Sequence, residues 1–535
     1  MKRTLRLLCL LLACLTVTAS LAACDLSDVL DGLDGLDSSS ASDGTAETVE
    51  GVPADTYLQN GDPDWETELA TESENLPTGY ETDIAYPDIE TEPDTDPAFT
   101  PEDALNALES VNWGGDDFTV LCNSTIKSEL YTDSIGSSTV SDAVYERNIL
   151  LEEVCNLRFK TLELTTDQGL TDTLRNEVMT ASGDFQLIDH YAGYAVSNAS
   201  SGYLSSFGSL GREDLSGPWW DQGNAACLLF GRIYFMSGSA NTLDDDVTYV
   251  MYFNTKLRND LKIEDPYQTV LDGKWTLDYF AGLVQSAVCE NGDGQWDEED
   301  TYGFTANYDY ANAFFIGSDL RYSQSDSDGG MTVTVGSYRE KILTAGDVLG
   351  SFYSPNKGGF IAAAGESDKA AVQFKTGRCL FYGDVLGSRN DTEEEYGILP
   401  VPKFNLDQAE YRSWAHPSAP VLSAPVTLGD GDEAATVGRI LEAFAILSHA
   451  TVRDAYSENV LKTRREQDPV AFDVLDTVLD NRVWELAFLM GDSVCESAFE
   501  NGVSNGSVGN QITRAEKTLE RELQKLSYKF ADLYS

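Results

Sequence analysis

The sequence predicts an α/β protein on mostly parallel sheets, carried behind a long acidic leader. Three observations predict it. Short apolar strands alternate with amphipathic helices from Phe118 to Ile188. The alternation returns from Thr276 to Pro402. Ahead of both, residues 25–126 hold 27 Asp+Glu and no Lys or Arg. The net charge of −55 and only 35 Lys+Arg exclude a nucleic-acid partner, because a phosphate backbone is held by Lys and Arg.

The N-terminus reads as an export signal over residues 1–24. Lys2, Arg3 and Arg6 precede an apolar run from Leu7 to Leu21. The sequence Leu21-Ala22-Ala23-Cys24 then resembles a bacterial lipobox. That resemblance implies diacylation of Cys24 and a lipid anchor on the outer face of the cytoplasmic membrane. No later segment has 18 uninterrupted apolar residues. Residues 25–112 read as a disordered acidic linker, too charged and too poor in aliphatics to offset chain entropy. Six cysteines remain beyond Cys24, with no CxxC. Their number permits disulfides, but Cys122, Cys155, Cys227 and Cys379 sit in apolar runs that favour buried thiols.

The body opens with a strand at Phe118–Cys122. Ser141 can cap a helix to Cys155, with Val144, Leu151 and Cys155 on one face. Leu157–Leu162 is the next strand, then a helix over 169–181 and a strand at Phe185–Ile188. Leu228–Met236 and Tyr249–Phe253 are further strands. Thr276 can cap a helix striped by Leu277, Phe280, Leu283, Val284 and Val288. Strands at Tyr302–Thr305 and Cys379–Tyr382 flank a helix near 367–375, and Tyr396–Pro402 is extended. Helices over 432–449 and 511–530 complete the pattern. The stripe of the second suits docking on its own domain better than a coiled coil.

Four segments, in this order, resemble a known family. They are Ser141–Asn148, Tyr249–Lys256 continuing through Asp265-Pro266-Tyr267 to Thr276, Asn291–Gly294 with Asp300–Gly303, and Tyr396–Lys403. With the lipobox and spacer they are similar to the extracellular solute-binding lipoproteins of ABC importers, in the sugar-binding cluster. The resemblance implies a two-lobed periplasmic-binding-protein-like fold of type II with hinge crossings. It places an N-lobe at 115–246 and 420–475, and a C-lobe at 253–412 and 476–535. It implies an oligosaccharide ligand, permease subunits as partners, a monomer and no catalysis. A surface glycosidase, or a binder of another solute such as a peptide, is the alternative. No GxSxG, P-loop or HxxxH spacing supports an enzyme.

Sugar sites stack ring faces on aromatics and bind hydroxyls through carboxylates and amides. Residues that end strands are therefore candidates, because α/β folds bind ligands there. These are Asp189, His190 and Tyr191, then Tyr308 and Tyr310, then Tyr382 and Asp384. Trp220 in a Pro/Gly loop, Trp414 at a lobe crossing and Trp484 in an apolar helix over 483–490 join them. Structural packing competes at each position. The segment Cys289–Asp300 resembles a calcium loop, with Asn291, Asp293, Gln295, Asp297 and Asp300 at ligand positions. Cys289 at its first position is a poor partner for a hard cation. No other cofactor is expected.

Overall fold

The computed structural model describes residues 101–108, 111–225, 227–325, 329–388, 395–463, 470–491 and 493–533. All lie within one compact unit, Pro63–Ser535. The export signal, Cys24 and the linker up to residue 100 lie outside the described residues. The linker expectation ran too far. Pro101–Ala107 is a helix, and Ala104 is buried against the helix Asp432–Ser448.

Thirteen strands are described. In chain order the first eight are β1 (Asp117–Asn123), β2 (Arg158–Leu164), β3 (Leu187–Tyr191), β4 (Tyr249–Asn254), β5 (Tyr302–Asn307), β6 (Ser323–Ser325), β7 (Met331–Val333) and β8 (Gly359–Ala362). The remainder are β9 (Cys379–Val385), β10 (Tyr396–Leu399), β11 (Ser413–Trp414), β12 (Pro420–Ser423) and β13 (Arg482–Val483). One sheet has the order β12-β3-β1-β2, and a second has β10-β4-β9-β5-β8. β1 is parallel to β2 and β3, and β5 is parallel to β8 and β9. β12, and β4 with both its neighbours, pair antiparallel. The sheets are therefore mixed. The antiparallel ladders involve β4 and β12, where the chain enters each sheet from the other. The strand–helix–strand units between those entries stay parallel, because a helical crossover returns the chain in the same direction.

Local chemistry fixes the ends of the elements. The helix Thr139–Cys155 is capped by Ser138, whose hydroxyl accepts from the Ser141 N–H, so the expected cap lies one turn inside. Thr166 and Thr276 cap the helices Asp167–Thr180 and Leu277–Ala287 in the same way. Leu228–Met236 is not a regular strand. Leu229 and Arg232 exchange backbone hydrogen bonds around Phe230-Gly231, with φ of 52° and 77°. Two consecutive left-handed residues make a tight turn, which the apolar run concealed.

The cores follow the predicted stripes. Phe280, Phe304, Phe314, Phe352 and Phe381 form a network of ring contacts 5.3–6.0 Å apart beside the second sheet. Such rings supply burial plus an edge-to-face term. The final helix, Val508–Leu533, buries Ile512, Ala515, Leu519, Leu523, Leu526 and Phe530. It docks on the helix Ser493–Asn505, and Phe530 meets Phe230 at 5.1 Å. Among the described residues six cysteines are free thiols, and of these Cys289 alone is exposed. No helix among the described residues is long and apolar enough to cross a membrane.

Candidate ligand cleft

Four segments run side by side where the chain passes between the sheets. His416 N–H donates to the Val247 carbonyl, and Leu386 N–H to that of Thr248. Ala415 N–H donates to Val483, and Ser413 N–H to Asn481. Gly193 and Ala192 at the end of β3 donate to Pro417 and Ala419. Backbone bonds tie these segments together, and buried side chains from both sheets pack into one cluster across them. The few dihedrals there can absorb a lobe rotation.

An aromatic pair marks the crossing. Trp414 stacks on Tyr249 with centroids 4.4 Å apart and planes 7° apart, and His416 and Phe488 flank the indole. The buried Trp414 Nε1 has no hydrogen-bond partner among the described residues. The Tyr249 hydroxyl donates to Asp309 at 3.2 Å. Burial, with Asp309 second, pushes that phenol well above its ordinary range, so it remains a donor. Tyr308, Asp309, Asp384, Ser388 and His416 are partly exposed around the pair. Rings and acceptors together suit a polyhydroxylated solute.

The remaining candidates fall into distinct surroundings. Asp189 is fully buried beside β1 and accepts from Asn241 Nδ2 at 3.4 Å. Burial, reinforced by Glu129, raises its carboxyl well above the usual range. His190 is 1% exposed, and both ring nitrogens are used, by Ser423 Oγ at 2.8 Å and Asn198 Nδ2 at 3.3 Å. It is a core residue in its sheet. Tyr191 closes β3 with its hydroxyl 2.9 Å from Thr125 Oγ1. Tyr310 is buried over Gly383 and donates to the Val250 carbonyl. Tyr382 packs between Tyr252 and Phe374 and hydrogen-bonds Asp384. Asp384 also accepts from Ser388. Trp220 is 3% exposed and shares Glu442 with Trp219. Trp484 lies between β13 and the helix Leu486–Leu489, not within a helix over 483–490, and donates to Asp221. Tyr308 and Asp384 are thus partly exposed, whereas His190, Trp220, Trp414 and Trp484 are each 5% exposed or less.

Sequence reasoning missed the groups that brace this region. Arg482 is buried on β13 and pairs with Asp221, Asp244 and Asp245 at 2.9, 3.2 and 2.6 Å. Glu485 caps the helix Leu486–Leu489 and accepts from the Tyr322 and Ser323 amides. Neither stands out among 90 acids and 35 bases. Tyr249 could have been found, since it opens a strand expected at the crossing.

In the Cys289–Asp300 loop, the acidic and amide side chains bond to the loop itself. Asp300 accepts from the Asn291 and Asp297 amides, Asn291 from Asp293, and Asp293 from Gln295. Cys289 and Thr301 close it through reciprocal backbone bonds. Among the described residues no group of three or more His, Cys, Asp or Glu is placed to hold a metal.

No protein-family model matches the sequence, and no curated protein does. Solved structures do match. A cyclo/maltodextrin-binding protein complexed with maltotetraose shares 12% identity at a TM-score of 0.51, covering 76% of this chain and 97% of that one. UspC from M. tuberculosis shares 14% at 0.48, covering 75% and 98%. The GacH receptor of Streptomyces glaucescens shares 14% at 0.45, covering 77% and 98%. At such identities the likeness is one of fold, and the two scores below 0.5 carry no argument. The chain has the two-lobed α/β fold of type II periplasmic binding proteins.

Proposed function

We propose that this chain is a lipid-anchored extracellular receptor that captures a carbohydrate and delivers it to an ABC permease. The observation that carries the reading is the stacked Tyr249–Trp414 pair at a crossing between two α/β sheets, ringed by partly exposed hydroxyl and carboxylate groups. The pair is itself buried and props the crossing, so the partly exposed Tyr308, Asp309, Asp384 and His416 would meet the pyranose as the lobes close on it. Tyr308 and Asp384 would line the contact, with the buried Trp414 behind them. The lipobox at Cys24 would anchor the protein, and the acidic linker would hold the body off the membrane. No covalent step is required of any residue. The protein similar at a TM-score of 0.51 was solved with maltotetraose, which supports starting with maltooligosaccharides.

The test is a thermal-shift screen of the mature protein against oligosaccharides, amino acids and peptides, repeated with Trp414→Phe and Trp414→Ala. A saccharide should raise the melting temperature in proportion to ln(1 + [L]/Kd). Phe should retain part of the shift and Ala should lose it. A shift by peptides alone defeats the carbohydrate reading. Turnover of the saccharide would favour a glycosidase.

A further inference from the structure

We infer that His416 sets the specificity of this crossing: its imidazole, held with the proton on Nε2, donates to an uncharged oxygen of the solute. This deepens the solute-binding reading above and rests on it. His416-Pro417-Ser418-Ala419 is a tight turn, closed by the Ala419 N–H donating to the His416 carbonyl at 2.9 Å. Proline at the second position presets φ for such a turn. The turn is tied on both sides. The His416 N–H donates to the Val247 carbonyl just before β4, and the Pro417 and Ala419 carbonyls accept from Gly193 and Ala192 at the end of β3.

The turn also orients the ring. The Ser418 N–H donates to His416 Nδ1 at 3.1 Å, and Ser418 Oγ lies 2.7 Å from the same nitrogen. A backbone N–H can only donate, so Nδ1 offers its lone pair and the ring proton sits on Nε2. That is the neutral imidazole. Burial also holds the ring down to about 4, so it stays uncharged at neutral pH. The Tyr249 and Trp414 rings lie against it, with centroids 6.2 and 5.7 Å away. His416 is nevertheless partly exposed, and its Nε2 is neither partnered among the described residues nor sealed from solvent.

Neighbouring side-chain donors are already spent. The Tyr249 hydroxyl goes to Asp309, and those of Tyr382 and Ser388 go to Asp384. Trp414 Nε1 is buried. Asp309 and Asp384 remain partly exposed and can accept from solute hydroxyls. A saccharide also brings ring and bridging oxygens that carry no proton, and only a donor satisfies those. The His416 Nε2–H supplies one. A carboxylate on the solute would meet Asp309 and Asp384 as like charges, and a neutral imidazole gives it no counter-charge. The geometry therefore selects an uncharged saccharide.

Titration calorimetry of the mature protein at pH 7 tests this with maltotriose, cellotriose, trigalacturonate and trialanine. A neutral trisaccharide should bind at least about tenfold more tightly than trigalacturonate. His416→Asn keeps an acceptor for the Ser418 N–H but has no donor at the Nε2 position. It should weaken the neutral sugar about three- to tenfold, with the melting temperature within about 2 °C of the parent. His416→Gln sets an amide N–H near the Nε2 position and should recover most of the loss. Nitrogen NMR of the histidine rings, assigned by difference against His416→Gln, should show the Nε2–H tautomer, and that signal should move on saturation with the sugar. A proton on Nδ1, unchanged affinity in folded His416→Asn, or trigalacturonate bound as tightly as the neutral sugars overturns the inference and leaves the carbohydrate reading standing. Trialanine binding weakened by His416→Asn, without any saccharide binding, keeps the donor and defeats the carbohydrate reading. Saturable binding of none of the four overturns both.

Discussion

Replacing Arg482 by Met isolates the brace that ties β13 to the first half of the chain. Asp221, Asp244 and Asp245 lie within 3.2 Å of its guanidinium, and all four residues are buried. Methionine keeps much of the volume and removes the charge. Deleting one partner of a buried ion cluster typically costs about 3–5 kcal/mol, because the remaining charges lose the cation they share. Burial already raises Asp244 and Asp245 above their ordinary range, while Arg482 opposes it. Without Arg482 they should rise further. A carboxyl raised on folding contributes stability below its unfolded pKa, and that stability is lost as pH rises through its folded value. The cost of the substitution should therefore be largest at pH 8 and shrink toward pH 4. Urea unfolding followed by tryptophan fluorescence reads this as a midpoint lowered by about 1 M or more at pH 8. A cost below about 1 kcal/mol at pH 8, or one independent of pH, would refute the reasoning.

Three further outcomes follow. His190, held down to about 3 by burial, should make the fold lose stability as pH falls from 6.5 toward that value. The upper limit is about 4–5 kcal/mol, and His190→Gln should flatten this acid limb in denaturant titrations at pH 7, 5 and 4. Calcium and chelator should both leave the melting temperature unchanged, because the Asn291, Asp293 and Asp300 side chains bond to loop amides; a rise with calcium would make that loop a metal site. Cys24→Ser should move the protein from the membrane fraction to the medium, read by fractionation and fatty-acid labelling.

The parts of the fold legible in the sequence were those fixed by local chemistry. Thr276 capped the helix it was expected to cap, and the strands at β1, β2, β5 and β9 fell where apolar runs predicted them. The turn at Phe230-Gly231 stayed hidden because a glycine inside an apolar run does not announce a positive φ. Trp484 looked helical because Val483–Met490 is apolar but for Glu485, yet Val483 pairs with β11 and Glu485 caps the helix that follows. The site was less legible than the fold. Strand-end reasoning chose Tyr308 and Asp384, and the expected lobe crossing chose Trp414. It also chose His190, whose nitrogens are consumed by Ser423 and Asn198 across the sheet. Those bonds span distant chain positions, and no local pattern encodes them.

The central claim is that the lobes close on a saccharide at the Tyr249–Trp414 crossing. Small-angle scattering of the mature protein, titrated with the saccharide that most raises its melting temperature, tests it most directly. The account predicts a saturable fall in the radius of gyration that tracks calorimetric binding and disappears in Trp414→Ala. Saturable binding with no change in dimensions, or closure that persists in Trp414→Ala, would contradict it.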